Sequence, residues 1–329
     1  MESKSNIKFS TVLATFGNQA DRFCQSGYKS SKSLEEMFIL AKKVRDLSGL
    51  ELVGTWNINE ENVDLITKYK HEYNFEITCV VIDLFTQARW QKGSFANKDN
   101  NIRKQAIEEV KKYMDIAKIL GCPLVDVWLG QDGYDYSFQT DYIKSWNMII
   151  EGLGECAGYR DDIKIGLEYK IKEPRTHCFI STIGKTLLLI EKVNKKNLGV
   201  LADVGHALYG YENMAETVSL CKLFGNKLFH LHLNDNYRLW DDDMMVGSVH
   251  IVEYLELMYW LKAINYDGWY SIDIYPFRED GIGATNESIK WLKEMQNVIS
   301  TVDEKEIEEV INSEDSIKSS ALVRKMLFK

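Results

Sequence analysis

The feature of this sequence that most constrains its fold is a series of apolar, strand-like runs that end in acidic residues or histidine. Four of these runs follow one another along the chain, at residues 163–167, 198–202, 228–234 and 269–273. They carry, at or near their ends, Glu168, Asp203, His232 and Asp273. Such side chains converge only if the strands run parallel and close into a ring. The pattern therefore predicts a metal site at the mouth of a (β/α)8 barrel.

The rest of the chain repeats the same alternation of strand and helix. Four earlier strands are predicted at residues 9–15, 50–56, 77–83 and 124–129. Amphipathic helices are predicted at about residues 33–47, 101–120 and 284–298. Strands that alternate with helices are typical of parallel βα units, so the predicted fold class is α/β, a single (β/α)8 TIM barrel.

The chain shows no sign of a linker between domains. It has 329 residues, 45% of them apolar, only three prolines, and no stretch rich in Gly and Ser. A barrel of this class can occupy such a length as one unit. We therefore predict a catalytic barrel over residues 1–300 and a charged, amphipathic helical tail over residues 301–329.

Composition excludes several classes of function. The net charge of −9 repels nucleic acid, and no apolar run has the length of a membrane span. The first residues lack the apolar core of a signal peptide. The six cysteines are scattered singly, as in proteins from a reducing compartment. These features predict a cytoplasmic protein that binds neither nucleic acid nor a membrane.

The four strand-end residues are interpreted together. Alone, Glu168 could be a solvated cap and His232 a hydrogen-bonded core residue. However, burying three carboxylates side by side without a cation is very costly, and a bound divalent metal removes that cost. Oxygen-rich ligands with one imidazole favour Mn2+, with Mg2+ and Co2+ as alternatives.

A second acidic group follows the same strands. His206 comes three residues after Asp203, and Asp241 and Asp243 lie just beyond the strand that holds His232. Alternation in an extended loop would direct Asp241 and Asp243 to the same side. The pair could then bind a second ion with His206, with Asp203 bridging the two ions. The alternative is an acidic surface turn.

Further residues are assigned roles by their positions. Lys170, two residues beyond Glu168, could stabilise an oxyanion or transfer a proton, although a surface lysine is a common alternative. His206 and His230 are the other catalytic candidates, and His230 could instead support His232. Trp56 and Trp128 could form apolar walls for a sugar ring, or pack in the core.

Asp235 is placed with the substrate-binding residues. It follows the strand that holds His232. We expect it to orient a ligand or to cap a loop rather than to be a primary metal ligand.

Three motifs of this chain match those of a known family: the region from Gly166 to Pro174, the pair Asp203 and His206, and the run from His232 to Asp235. In these motifs the chain resembles the xylose isomerase-like barrel superfamily, most closely its L-rhamnose isomerase branch. The resemblance implies two metal sites. The structural one would use Glu168, Asp203, His232 and Asp273, and the catalytic one His206, Asp241 and Asp243. It also places Trp128 and Lys170 at substrate-contacting positions.

The region after the third strand departs from the isomerases, which have a histidine there near the sugar ring oxygen. This chain reads Ile-Asp-Leu-Phe-Thr-Gln over residues 82–87. A second group on this barrel is the α subunit of bacterial C-glycoside deglycosidases, which acts with a small β subunit on 3-oxo-C-glucosides. Both groups use metal-assisted proton abstraction beside a sugar carbonyl, through an enediolate.

The missing histidine and the compact chain favour β-elimination from a 3-oxo-C-glucoside. An aldose–ketose isomerase and a non-catalytic sugar-binding barrel are the alternatives. The resemblance also implies a small partner subunit and a higher oligomer.

Overall fold

The computed structural model describes residues 7–328, and its architecture is a closed parallel barrel. The strands, in chain order, are β1 Lys8–Val12, β2 Leu47–Val53, β3 Glu76–Val81, β4 Leu124–Trp128, β5 Gly133–Tyr134, β6 Lys164–Glu168, β7 His177–Cys178, β8 Leu198–Asp203, β9 Leu228–Leu233 and β10 Trp269–Ile272. Eight of these strands form the barrel, in the order β1-β10-β9-β8-β6-β4-β3-β2. The two short strands β5 and β7 pair with each other outside it.

The barrel is surrounded by helices. They are α1 Leu34–Ala41, α2 Val63–Glu72, α3 Asn100–Leu120, α4 Tyr142–Tyr159, α5 Ile183–Val193, α6 Val204–Tyr209, α7 Met214–Leu223, α8 Ile251–Ala263, α9 Gly281–Thr301, α10 Glu304–Ser313 and α11 Ser316–Leu327. One large core of buried apolar side chains lies between strands and helices. The predicted (β/α)8 barrel is therefore confirmed, and the chain ends in helices.

The helix boundaries follow local sequence signals. Ser33 caps α1 with a full capping box. The Ser33 side chain accepts from the Glu36 backbone N–H, and the Glu36 side chain accepts from the Ser33 backbone N–H. Gly121 ends α3 in the left-handed conformation, which glycine adopts without strain. The helix α1 ends at Ala41, earlier than the predicted residue 47, because Leu47 already begins β2.

Two strand ends differ from the prediction. The first strand stops at Val12 because residues Leu13–Phe16 turn into a short 3-10 helix. The second stops at Val53, and Thr55 then takes a positive φ of 64°. Trp56 consequently lies in the loop beyond β2 rather than at the end of the strand.

The strands that carry the predicted ligands are neighbours. The run β10-β9-β8-β6 is continuous around the barrel, and Asp203 pairs in register with His232. All their carboxyl ends meet at one rim, as parallel pairing requires. Over residues 7–328, no helix has the length and apolar character needed to span a membrane.

Candidate active site and metal centre

Four side chains at the barrel rim form a compact group of metal-binding donors. One ligand atom from each of Glu168, Asp203, His232 and Asp273 lies within 4.8 Å of all the others. Glu168 and Asp203 are the last residues of β6 and β8, His232 is the penultimate residue of β9, and Asp273 directly follows β10. The structure thus brings together the four residues that the sequence placed in one site.

Two of the cluster's three carboxylates lie at the distances from His232 Nδ1 that are expected between ligands of one ion, and the third lies slightly farther away. His232 Nδ1 is buried, makes no well-aligned hydrogen bond with any described residue, and faces three carboxylates. Its distances are 3.2 Å to Asp273 Oδ2, 3.4 Å to Glu168 Oε1 and 3.9 Å to Asp203 Oδ2. Metal–ligand bonds of about 2.1 Å separate neighbouring ligand atoms by roughly 3.0 to 3.4 Å. The residues therefore fit a divalent cation, and the set of three carboxylates and one imidazole suits Mn2+, Mg2+ or Co2+.

The other nitrogen of His232 is held by a residue that the sequence analysis missed. Glu51, on β2 at the far side of the barrel, is fully buried. The distance from its Oε2 atom to His232 Nε2 is 3.0 Å. Its Oε1 lies 2.8 Å from His230 Nε2 and accepts a short hydrogen bond from Ser271. A carboxylate behind a histidine fixes the ring and presents its free nitrogen to a metal.

Glu51 is charged in spite of its burial. Burial raises the pKa of a carboxyl group, but the positive charges of His232 and His230 and their hydrogen bonds outweigh it here, and the pKa lies well below its usual range. The sequence did contain a signal for this role. Glu51 is a single acidic residue within the apolar run Leu50 to Val53.

A second missed carboxyl group, Asp126 on β4, behaves in the opposite way. It is fully buried beside Glu168, and neither of its oxygens has a hydrogen-bond partner among the described residues. Burial, with the negative charge of Glu168, raises the pKa of Asp126 well above its usual value. Asp126 therefore holds a proton more readily than an ordinary aspartic acid does.

Asp203 is oriented by two bonded neighbours. Its Oδ1 accepts from the backbone N–H of His206 at 2.9 Å and so caps α6. Asn234 Nδ2 donates to both carboxylate oxygens, at 3.1 and 3.3 Å. When no cation is bound, burial raises the pKa of Asp203 to about 7. The site thus favours a cation whose charge replaces that proton.

The predicted second metal group surrounds a lysine. Lys170 Nζ lies 2.8 Å from Asp241 Oδ2 and also contacts Glu173 at 2.6 Å. His206 Nε2 lies 3.1 Å from the same Asp241 oxygen. Burial lowers the pKa of Lys170, but the charges of Asp241 and Glu173 outweigh it, so the net pKa lies well above its usual value. The ammonium group provides a positive charge at the place where a second ion was predicted.

Two of the three consecutive aspartates in the loop after β9 line the cavity above the cluster. They are Asp241 and Asp243, while Asp242 accepts from the Tyr237 backbone N–H. Burial and the charge of Asp241 raise the pKa of Asp243 well above its usual value. Among the described residues, the compact donor groups are the four-residue cluster and the group of Glu51, His230 and His232.

The cavity above the metal cluster has two unlike sides. It measures about 200 Å³, and its polar side is formed by Glu168, His232 and Asp273 of the cluster, together with Lys170, His206, Asp241 and Asp243. The opposite side is apolar and consists of Val12, Ala14, Val53, Trp56, Val81, Phe85 and Trp128. Phe85 lies between the two tryptophans, with ring centroids 6.2 Å from Trp56 and 4.5 Å from Trp128. Both tryptophans thus line the cavity, which is one of the two alternatives that the sequence left open, and Trp56 is 43% exposed.

Two predicted site residues lie elsewhere. His230 was a catalytic candidate, but it is buried against Glu51 below the cavity and does not line it. Asp235 was placed with the substrate-binding residues, but it is fully buried. Its oxygens accept from the backbone of Val249 and His250, and from the His250 ring at 2.7 Å. His230 therefore supports the site, and Asp235 caps a loop, because neighbouring groups already occupy their polar atoms.

The family comparison agrees with this architecture. Residues 42–295 match the family model of the xylose isomerase-like TIM barrel. The chain belongs to this family. Two curated relatives are xylose isomerases. The one from Thermus thermophilus is 25% identical over 302 residues, which cover 86% of this chain and 77% of the relative. The one from Thermus caldophilus is 25% identical over 236 residues, 68% of this chain and 61% of the relative.

Solved structures share the fold. A D-tagatose 3-epimerase-like protein has a TM-score of 0.70 at 23% identity, covering 89% of this chain and 98% of its own. D-allulose 3-epimerase from Methylomonas sp. has a TM-score of 0.67 at 15% identity, covering 88% and 97%. A 3-keto-D-glucoside 4-epimerase from E. coli has a TM-score of 0.66 at 17% identity, covering 87% and 99%. This member of the family thus has the barrel found in sugar isomerases and epimerases.

Proposed function

We propose that this chain is a divalent-metal-dependent enzyme that transfers a proton at a carbon atom beside the carbonyl group of a sugar. The observation that carries the proposal is the cluster of Glu168, Asp203, His232 and Asp273 at the floor of a sugar-sized cavity. These four residues would hold the ion. The bound ion, Mn2+ by preference, supplies a positive charge that stabilises the enediolate formed when the proton leaves.

Two groups on the polar side of the cavity have different roles in the proposed reaction. Asp273 has 25% of its side chain exposed, whereas Glu168, Asp203 and His232 have 8% or less. Its carboxylate is the ligand most open to a bound sugar and is our candidate base. Lys170 is held as an ammonium ion by Asp241 and Glu173, so it places a positive charge next to the substrate oxygens and does not act as the base.

The apolar side favours a substrate that already carries a ketone. An aldose ring must open before its carbonyl can react, and opening needs an acid or base at the ring oxygen. The side formed by Trp56, Val81 and Phe85 offers no group that titrates near neutral pH. A ketose or a 3-keto-glycoside avoids this requirement if its ketone is already exposed. The proposal therefore ranks keto sugars above free aldoses such as rhamnose or xylose.

The enediolate has two fates, and each corresponds to one candidate reaction. Reprotonation gives an epimer or an isomer, and the names of the relatives and structural neighbours support this outcome. Expulsion of a group from the carbon next to the enediolate is a β-elimination, the reaction of a C-glycoside deglycosidase on a 3-oxo-C-glucoside. The absence of an acid or base on the apolar side supports elimination as the second candidate.

Solvent exchange tests the step that both fates share. The protein, with Mn2+ added, would be incubated in D2O with D-tagatose, D-allulose and a 3-keto-glucoside, and deuterium next to the ketone would be measured by NMR. We expect exchange with at least one of them, and none with the Glu168→Gln variant. A metal-loaded protein that exchanges no proton in any of the three would instead be a non-catalytic sugar-binding barrel. If exchange is observed, chromatography of the products distinguishes an epimer from a released aglycone.

A further inference from the structure

A second, larger cavity adjoins the metal cavity at the barrel mouth. It measures about 880 Å³ and shares Asp241, Asp243 and Tyr275 with the inner one. Its walls come from the loops after β1, β9 and β10, at residues 20–23, 237–245 and 274–279. We call it the outer chamber. Pockets for drug-sized ligands measure about 300 to 1,000 Å³, so the outer chamber has room for a drug-sized group, whereas the inner cavity of 200 Å³ has room only for a smaller one.

Aromatic rings with large exposed surfaces stand around the chamber. Phe23 is 77% exposed, Tyr237 64% and Trp240 40%. The guanidinium group of Arg22 lies 4.7 Å from the Phe23 ring and 4.9 Å from the Trp240 ring. Arg22 thus stacks on two rings, and it forms no ion pair within residues 7–328. Exposed aromatic groups gathered around one cavity indicate a surface that a ligand covers.

The charge of the chamber limits the chemistry of that ligand. Six acidic residues line it: Asp21, Glu173, Asp241, Asp242, Asp243 and Glu279. Only two basic residues, Arg22 and Arg278, do so. Lys170 pairs with two of the six, Asp241 and Glu173, so the remaining excess of carboxylates over arginines is small. It weakly disfavours an anionic ligand, and the carboxylates accept hydrogen bonds from hydroxyl groups. The aromatic walls and acidic lining together suit a neutral ring that bears hydroxyl groups.

We propose that the outer chamber binds a neutral phenolic group attached to the sugar whose ketone lies in the inner cavity. The substrate is then an aryl glycoside rather than a free monosaccharide. This inference rests on the proposed function, because the inner cavity must hold the keto sugar. Trp240 and Phe23 stack on the aryl ring, and the carboxylates of the chamber accept from its hydroxyl groups.

Calorimetric binding tests the inference without turnover. Metal would be removed with a chelator, and the 4-hydroxyphenyl, methyl and 4-carboxyphenyl 3-keto-β-D-glucosides would be titrated. An aromatic pair strengthens binding by roughly two- to tenfold, so we expect the 4-hydroxyphenyl glycoside to bind up to about tenfold more tightly than the methyl glycoside. The 4-carboxyphenyl glycoside should bind more weakly than the 4-hydroxyphenyl one. Trp240→Ala and Phe23→Ala should each remove most of the preference, while Phe224→Ala, at an exposed ring after α7, should keep it.

Several results would overturn the inference. Equal affinity for the methyl and 4-hydroxyphenyl glycosides, or no saturable binding of either, would do so. A preference that survives both Trp240→Ala and Phe23→Ala would place the aryl group elsewhere. A self-association in sedimentation that Trp240→Asp abolishes, without an aryl preference, would assign the chamber to a second copy of the chain. Solvent exchange into a ketose measures the proposed function separately, so failure of the two can be distinguished.

Discussion

At the residue scale, two buried carboxyl groups inside the barrel have pKa values shifted in opposite directions. The pKa of Glu51 lies well below its usual range because His232, His230 and Ser271 surround it. Burial and the negative charge of Glu168 raise the pKa of Asp126 well above its usual value. Both belong to barrel strands, yet only Glu51 acts on the metal site through a charge.

Replacing each acid by its amide tests this difference. Glu51→Gln removes the charge that orients His232, and we expect the affinity for Mn2+ to fall about 10- to 100-fold. Asp126→Asn replaces a neutral acid with a neutral amide of the same shape, so the affinity should change less than about threefold. Titration calorimetry measures the Mn2+ affinity of both variants after a chelator has removed any bound metal. Equal losses in the two variants would show that Asp126 is also ionised.

Glu168→Gln removes one of the proposed ligands. The side chain keeps its size, and the core is formed by other residues, so circular dichroism should match the parent protein. Solvent exchange should fall by about 10² or more because the enediolate loses its cation. If the variant kept more than roughly a tenth of the parent rate, Glu168 would not be a ligand of the working metal.

Lys170 combines a structural and a catalytic effect, and a pair of variants separates them. Lys170→Met leaves the buried Asp241 and the half-buried Glu173 without their cation, which should cost about 3 to 5 kcal/mol of stability and lower exchange by about 10² or more. Adding Asp241→Asn should restore part of the stability but not the exchange rate. Denaturant unfolding and NMR exchange measure the two effects. Recovery of the rate in the double variant would give Lys170 a structural role alone.

At the element scale, the start of α6 is fitted closely against the end of β9. A Cβ atom added at Gly205 would overlap Asn234 Oδ1. Asn234 cannot easily move away, because its amide nitrogen holds both oxygens of Asp203. The glycine therefore allows the helix to begin close to the metal ligands.

Gly205→Ala should consequently destabilise the fold by about 1 to 3 kcal/mol, as overpacking does, and weaken Mn2+ binding through Asp203. Gly184→Ala is the matched control. Gly184 lies in α5, and a Cβ added there would meet no atom within 4 Å, so alanine should stabilise the helix by about 0.5 to 1 kcal/mol. Unfolding in urea measures both changes. An unaffected Gly205→Ala variant would show that Asn234 rearranges without cost.

At the scale of the whole molecule, the proposed metal joins four of the eight barrel strands. The ligands come from β6, β8, β9 and from the residue after β10, which are neighbours around the ring. The two tail helices pack at another place, where Ile307 and Met326 are buried. The boundary between barrel and tail near residue 300, the small partner subunit and the higher oligomer stay predictions.

Metal removal should therefore lower the thermal stability of the whole barrel. A ligand present at 100 times its Kd stabilises the native state by about 2.7 kcal/mol. We expect EDTA to lower Tm by several degrees, Mn2+ to restore it, and the Glu168→Gln variant to respond far less. Elemental analysis of protein purified without chelator identifies the ion. A Tm that EDTA leaves unchanged, with less than about 0.2 metal per chain, would contradict the metal site.

The sequence alone determined the barrel and the four proposed ligands. Strand-like runs and amphipathic helices alternate with clear periods, and parallel strands must bring their carboxyl ends to one rim. Glu168, Asp203, His232 and Asp273 could be placed in one site because position along a strand is a local property. The strand ends themselves were less certain, as Trp56 shows, since the turn after β2 depends on its packing.

Only the tertiary structure decided which groups meet across the barrel. Glu51 and His232 are 181 residues apart in the chain, and closure of the ring makes them neighbours. Closure also places Lys170 beside Asp241, and it places His230 against Glu51 rather than in the cavity. It also arranged three loops into the outer chamber. Such contacts depend on barrel register and loop packing, which involve many distant residues at once and leave no periodic pattern in the sequence.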